Sequence, residues 1–285
     1  MPHLSLFGKI AKFSAPVRIG IFILTLLLSW LPLATPIYLL VKDANLASIL
    51  AIAILYIEFI ILVQFWGKKV YRQPQLLRCY GLEISRGNLE RFCQGLGIGF
   101  VSLFGFFILE TFLGFVIWQA PSERFLQYIV EGLLVSVGIG FAEELLFRGW
   151  LLDELERDYS AKVALWVSSI VYALLHFIKP LTEIWRTWPQ FPGLVLLGVI
   201  FVWAKRSRKK NLGHRNKQEL LGLPIGIHAG FVWGYYIINV GGLVKYPGVV
   251  AEWVVGIDGN PLAGLMGFLF LGAIALWMRY FLCRS

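Results

Sequence analysis

Residues 126–147 read LQYIVEGLLVSVGIGFAEELLF, an apolar stretch that contains three carboxylates and no basic residue. A membrane-spanning helix needs about 20 mainly apolar residues, so this stretch is long enough to cross a bilayer as one helix. A charged side chain inside lipid is costly. Each of the three carboxylates, Glu131, Glu143 and Glu144, therefore needs an explanation.

Apolar stretches of this kind dominate the chain. Charged residues make up 15% of its 285 residues and apolar residues 58%, whereas a soluble domain carries about 25% charged residues. So few charges cannot cover the surface of a soluble protein of this size. The composition excludes an ordinary soluble enzyme and indicates that lipid covers much of the surface.

The pattern predicts an all-α, polytopic membrane protein with about eight transmembrane helices. The sixth predicted span is the shortest, and a re-entrant or tilted half-span is the alternative for it. The predicted spans lie near residues 19–41, 46–66, 92–118, 126–147, 163–178, 191–204, 220–240 and 262–278.

The lysines and arginines predict the orientation of these helices. If the N-terminus lies in the cytoplasm, 21 of the 26 basic residues fall in segments on the cytoplasmic side. Cytoplasmic loops carry such an excess, so both termini are predicted to be inside. The net charge of +9 is then explained by membrane flanks, among them the loop Lys205–Lys217, which we expect to contact anionic lipid headgroups rather than nucleic acid.

Three regions follow along the chain. Residues 1–79 form a two-span region, residues 80–240 a core of further spans, and residues 241–285 an outer loop and the last transmembrane helix. The three cysteines have no C-x-x-C spacing and predict neither a disulfide framework nor a zinc site. Gly132, Ser136 and Gly140 recur every four residues and predict a face for close helix packing.

Five glutamates fall inside the predicted spans. Glu58, Glu110 and Glu131 are each solitary, and we expect them to be structural. Glu143 and Glu144 are adjacent, and Arg148 follows Glu144 by four residues. On a helix this spacing places Glu144 and Arg148 on one face, while Glu143 points about 100° away. One carboxylate is then neutralised locally and its neighbour stays free.

Two of the four histidines, His176 and His228, lie within predicted spans. Glu143 and His176 stand about 15 and 17 residues from the turn near Tyr159-Ser160, so an antiparallel hairpin places them at nearly the same depth. His228 lies about 12 Å into its own span. These depths agree if the charged hairpin tip projects into the cytoplasm.

The elements Glu143-Glu144-x-x-x-Arg148, Tyr172-x-x-x-His176 and His228-Ala229 together resemble the CAAX protease and bacteriocin-processing family, also called the Abi family. Its members are intramembrane glutamic endopeptidases, and the resemblance covers about residues 80–240. It implies hydrolysis of a peptide bond in a membrane-embedded or lipidated polypeptide, without a metal cofactor, in a multi-pass protein of a prokaryotic plasma membrane.

The resemblance also implies roles for five residues. Glu143 would be the general base, and His176 would help to bind and orient the water. Glu144 would be held by Arg148, and His228 would stabilise the oxyanion.

The sequence departs from the family pattern at two positions. Tyr172 stands where the family usually has Phe, which keeps the ring and adds a hydroxyl. Val232 stands where the family usually has the Asn to which it assigns oxyanion stabilisation, and Asn239 lies too far along the helix to replace it. The oxyanion donor is therefore supplied elsewhere or weakened here.

Two other functions remain open at this point. Glu143, His176 and His228 form a two-histidine, one-carboxylate set that occurs in zinc hydrolases, although no H-E-x-x-H element is present. A non-proteolytic scaffold, a bacteriocin self-immunity protein or a transport element would also use buried carboxylates and histidines.

Overall fold

The computed structural model describes residues 6–207 and 219–282, and these are mainly helical. In chain order, the α-helices are α1 Leu6–Ile10, α2 Ala15–Leu40, α3 Ala44–Trp66, α4 Leu76–Cys79, α5 Arg86–Phe112, α6 Phe125–Glu144, α7 Leu152–Glu156, α8 Ala161–Leu175, α9 Leu181–Thr187, α10 Phe191–Arg206, α11 Gly222–Asn239, α12 Glu252–Val255 and α13 Leu265–Trp277.

Shorter elements connect these helices. Two-residue strands, β1 at Ile117–Trp118 and β2 at Val244–Lys245, pair antiparallel. The π-helices are Gly67–Tyr71, Leu145–Leu151 and Met278–Leu282, and the 3-10 helices are Trp188–Gln190, Ile257–Gly259 and Pro261–Ala263.

Five helices of the described chain are long and apolar enough to cross a membrane: Ala15–Leu40, Ala44–Tyr71, Arg86–Phe112, Phe125–Glu156 and Leu181–Arg206. The fold is thus an all-α polytopic membrane fold, as the composition predicted. The short sixth apolar run is part of one of these helices. The other three predicted spans correspond to α8, α11 and α13. That these three helices cross the membrane remains a prediction, and so does the cytoplasmic location of both termini.

The predicted third span, near 92–118, lies largely within α5 but was wrong at its C-terminal end. α5 begins earlier because the Ser85 hydroxyl caps it by accepting a hydrogen bond from the Asn88 amide at 3.2 Å. It ends at Phe112 because Gly114 adopts a left-handed φ of 74°, which an L side chain rarely adopts. The residues after this stop, Ile117–Trp118, form strand β1 instead of helix.

α11 is packed tightly between α5 and α6. A Cβ on Gly226 would lie 2.1 Å from the carbonyl oxygen of Phe92, and a Cβ on Gly99 would lie 2.3 Å from that of Ile227. Glycine at such positions lets two backbones approach closely. The first half of α11, which contains His228, is consequently buried in the bundle.

The small-residue face of α6 is a close-packing face, as predicted, and its partner is a second side of α11. Ser136 is fully buried, and a Cβ on Gly140 would lie 2.9 Å from the carbonyl oxygen of Ile225. α5 and α6 therefore hold α11 from two sides and fix the depth of its side chains.

The hairpin predicted near Tyr159-Ser160 is present, but its tip is partly buried. α7 ends at Glu156, and α8 begins at Ala161 after the Ser160 cap. Glu154 is buried rather than projecting into water, because Arg18 Nε donates to its carboxylate at 3.0 Å and the Tyr71 hydroxyl also donates to it. The N-terminal helices thus pack directly on the end of the helix that carries Glu143.

Candidate functional site

The chain segment that carries the paired glutamates changes helix type just after them. α6 ends at Glu144, and Leu145–Leu151 continue as a π-helix that contains Arg148. Such π-turns within α-helices often occur at functional sites. Arg148 Nη1 donates to Glu144 Oε1 at 3.2 Å, and both side chains are fully buried. The predicted ion pair is therefore confirmed.

His228 approaches the same carboxylate from α11. Its Nδ1 lies 2.9 Å from Glu144 Oε1. A carboxylate only accepts hydrogen bonds, so Nδ1 carries a proton and donates it. The opposite ring nitrogen, Nε2, faces Glu143 Oε2 at 3.8 Å. Glu144 thus orients His228 toward the neighbouring glutamate.

His176 approaches Glu143 from the end of α8. Its Nδ1 lies 2.8 Å from the carbonyl oxygen of Tyr172. Because a carbonyl oxygen only accepts, Nδ1 again carries the proton. Nε2 then faces Glu143 Oε2 at 3.9 Å. The predicted agreement in depth of Glu143, His176 and His228 is confirmed.

Glu143 and Glu144 have opposite environments, as the helical geometry predicted. The Glu144 side chain is fully buried, whereas 30% of the Glu143 side chain is exposed. Glu143 Oε2 has no hydrogen-bond partner among the described residues. Its distances of 3.8 and 3.9 Å to the two Nε2 atoms exceed the range of direct hydrogen bonds. Separations of this kind are commonly bridged by water.

Aromatic rings enclose Arg148 and the histidines. The Arg148 guanidinium lies 4.3 Å from the ring centroid of Tyr172 and 4.9 Å from that of Phe201. Phe201 also stacks on His228, with 4.8 Å between ring centroids and 10° between planes. Sequence reasoning missed Phe201, because nothing in an apolar run marks the ring that will face a particular imidazole.

Lys205 was predicted to be a membrane-flanking charge, and this was wrong. It is only 4% exposed, and its Nζ donates to the carbonyl oxygen of Arg148 at 2.7 Å. Its neighbour Arg206 pairs with Glu156. Most of the predicted basic loop, residues 208–217, lies outside the described residues.

A cavity of about 300 Å³ opens beside the two histidines. Its wall is mainly apolar and includes Val232, one helical turn beyond His228. The polar or titratable lining residues are Tyr172, His176, Gln190, His228, Tyr235 and Asn260. Its volume lies at the lower end of the range typical of ligand pockets, about 300–1,000 Å³.

The three solitary glutamates lie apart from this site. Tyr246 donates to buried Glu110 at 3.1 Å, and Gln127 donates to Glu131 at 2.7 Å. Burial, followed by the nearby charge of Glu110, raises the pKa of the Tyr246 hydroxyl well above its usual value, so it stays protonated as a donor. Glu58 is half-buried on α3. These contacts support the structural role expected for Glu110 and Glu131.

The donor atoms of the site also bear on metal binding. In the described ranges, no group of three or more His, Cys, Asp or Glu side chains has an arrangement that could hold a metal ion. The two Nε2 atoms and Glu143 nevertheless form a donor set of the type used by catalytic zinc sites.

A family model matches the central segment of the chain. Residues 125–234 match the family model described as Type II CAAX prenyl endopeptidase Rce1-like. The match contains Glu143, Glu144, Arg148, His176 and His228 and confirms the resemblance drawn from the motifs. Neither the curated proteins nor the solved structures yielded a match.

Proposed function

We propose that this chain is an intramembrane glutamic endopeptidase that hydrolyses a peptide bond of a membrane-embedded or lipidated polypeptide. The observation that carries the proposal is the convergence of three groups. Glu143 Oε2 faces Nε2 of His228 at 3.8 Å and Nε2 of His176 at 3.9 Å, and both histidines line an apolar cavity. The family match supports the reaction class.

The first chemical step uses Glu143 as a general base. A water held by Glu143 and His176 loses a proton to Glu143 while its oxygen attacks the peptide carbonyl carbon. The carbonyl π electrons move to oxygen and form an oxyanion. The oxyanion electrons then re-form the carbonyl as the C–N bond breaks, Glu143 gives the proton to the leaving nitrogen, and the products are a carboxyl group and an amine.

Stabilisation of the oxyanion falls to His228. Glu144 accepts from its Nδ1 at 2.9 Å and fixes the direction in which Nε2 points. When Nε2 carries a proton, it is a donor directed at the oxyanion. Arg148 holds Glu144 at 3.2 Å so that the carboxylate keeps this orientation.

The proposal is tested by the ends of peptides in the membrane. Membranes containing the wild-type protein should yield new peptide termini that are missing from membranes containing the Glu143→Gln variant. The same comparison identifies the substrate. Identical termini in both samples would favour a non-proteolytic scaffold, immunity or transport role. Val232, which stands where the family usually has Asn, also favours such a role.

Chelation separates the glutamate mechanism from the zinc alternative. Cleavage by purified protein should survive treatment with a strong chelator followed by dialysis, because Glu143 activates water without a metal. The assay compares the initial cleavage rate before and after treatment. Loss of cleavage that Zn²⁺ restores would establish the zinc hydrolase instead.

The Val232→Asn variant should be faster than the wild type. Val232 lies in the cavity wall one turn from His228, so an amide there adds a second donor near the oxyanion. One oxyanion donor is worth about 10²–10³-fold in kcat. We expect a smaller gain of about 10-fold here, because the rest of this site is not arranged around an asparagine at position 232. Val232→Leu keeps the wall apolar and is the matched control. Equal kcat values for the two variants would contradict this role for position 232.

A further inference from the structure

A buried lysine contacts the site from the far side of Arg148. Lys205 lies in the last turn of α10, is 4% exposed, and donates from Nζ to the carbonyl oxygen of Arg148 at 2.7 Å. Burying an ammonium group is costly unless it is hydrogen-bonded. Nothing in the proposed chemistry uses this side chain, so its position needs a separate reason.

The π-helix supplies that reason. In an α-helix, the carbonyl oxygen of Arg148 would accept from the amide of Leu152. Here the Leu152 amide donates to Phe147 and Gly149 instead. The Arg148 carbonyl has lost its α-helical donor, and Lys205 provides a charged replacement. Hydrogen bonds to charged groups are stronger than neutral ones.

α10 contacts Arg148 at two points. Two turns before Lys205, the carbonyl oxygen of Gly198 accepts from Arg148 Nη2 at 3.3 Å. Gly198 packs so closely on α8 that an added Cβ would lie 2.7 Å from Ser169 Cβ. α10 therefore holds both the backbone and the guanidinium of Arg148 in place.

We infer that Lys205 is a positioning residue for the catalytic site. It stabilises the π-turn that directs Arg148 to Glu144, and Glu144 in turn orients His228. The effect on catalysis rests on the proposed peptidase function. The effect on the π-turn does not.

The kinetic experiment compares Lys205→Met with Arg206→Met. Methionine keeps an unbranched side chain at the buried position and removes the ammonium group. Arg206 serves as the control because it is the adjacent basic residue and pairs with Glu156. Lys205→Met should lower kcat about 10-fold, the low end of what a charged hydrogen bond is worth, and leave KM within about twofold. Lys205→Arg should recover most of the loss, because it restores a charged donor. Arg206→Met should leave both constants within about twofold.

Hydrogen exchange followed by mass spectrometry provides the readout that needs no activity. Amides of residues 145–151 should exchange faster in Lys205→Met than in the wild type or Arg206→Met, and at the wild-type rate in Lys205→Arg. If Lys205→Met does not accumulate, Lys205→Gln takes its place in both measurements. Unchanged exchange at 145–151 together with unchanged kcat would overturn the inference. If the wild-type protein cleaves nothing and Lys205→Met still exchanges faster at 145–151, Lys205 keeps its role in the π-helix, whereas the proposed function and the catalytic part of the inference are rejected.

Discussion

Glu143→Gln should abolish cleavage while the protein still inserts into the membrane. A general base contributes about 10²–10⁴-fold to the rate, and the amide of glutamine cannot take a proton from water. Glu143 Oε2 has no hydrogen-bond partner among the described residues. At that atom, the substitution therefore affects the contacts with the two histidine Nε2 atoms at 3.8 and 3.9 Å. The loss should appear in kcat, measured on purified protein with the peptide found from the membrane termini.

Glu131→Gln is the matched control for this variant. Glu131 lies three turns earlier on α6 and accepts from Gln127 at 2.7 Å, away from the site. It loses the same charge from the same helix and should keep kcat within about twofold. A Glu143→Gln protein that cleaves at the wild-type rate would refute the assignment of Glu143 as the base.

The apolar runs predicted the helices well, because a lipid-facing helix must be apolar along its whole length. Helix ends were less predictable. α5 ends where Gly114 adopts a left-handed conformation. The sequence alone does not distinguish this glycine from the other glycines of the same apolar run, which lie inside the helix. The glycines of α11 were not recognised as a packing face, because close approach depends on which helix lies opposite.

The site was predictable to the extent that it depends on helical spacing. Glu144 and Arg148 pair, and Glu143, His176 and His228 meet at one depth, as residue counting indicated. The π-helix was not predicted, since one hydrogen-bond register differs little from another in an apolar sequence. Lys205 was misassigned for the same reason: its role depends on a carbonyl group that only the π-helix leaves without its usual donor.

Arg148→Met should strongly destabilise the protein. The substitution removes the cation from a fully buried pair and leaves the carboxylate of Glu144 with His228 as its remaining partner. Breaking a buried pair by removing one partner typically costs about 3–5 kcal/mol. Unfolding in detergent followed by circular dichroism gives the change in the free energy of unfolding. Cleavage should fall as well, because Glu144 then loses the group that fixes its orientation.

Arg86→Met tests whether burial of the ion pair, rather than pairing alone, causes the loss of stability. Arg86 pairs with Glu90 at the same four-residue spacing and at a similar distance, 3.1 Å, but its side chain is 93% exposed. Its loss should cost no more than about 0.5 kcal/mol, because water solvates the remaining carboxylate.

A second substitution tests whether the unpaired charge of Glu144 causes the stability loss in Arg148→Met. Glu144→Gln in the Arg148→Met background should recover part of the lost stability, because it removes the unpaired buried charge. That double variant should still cleave poorly, since a neutral amide accepts a weaker hydrogen bond from His228 Nδ1 than a carboxylate does and orients the ring less firmly. If the two substitutions instead add independently, the pair does not act as a unit, and the connection from Arg148 through Glu144 to His228 is wrong.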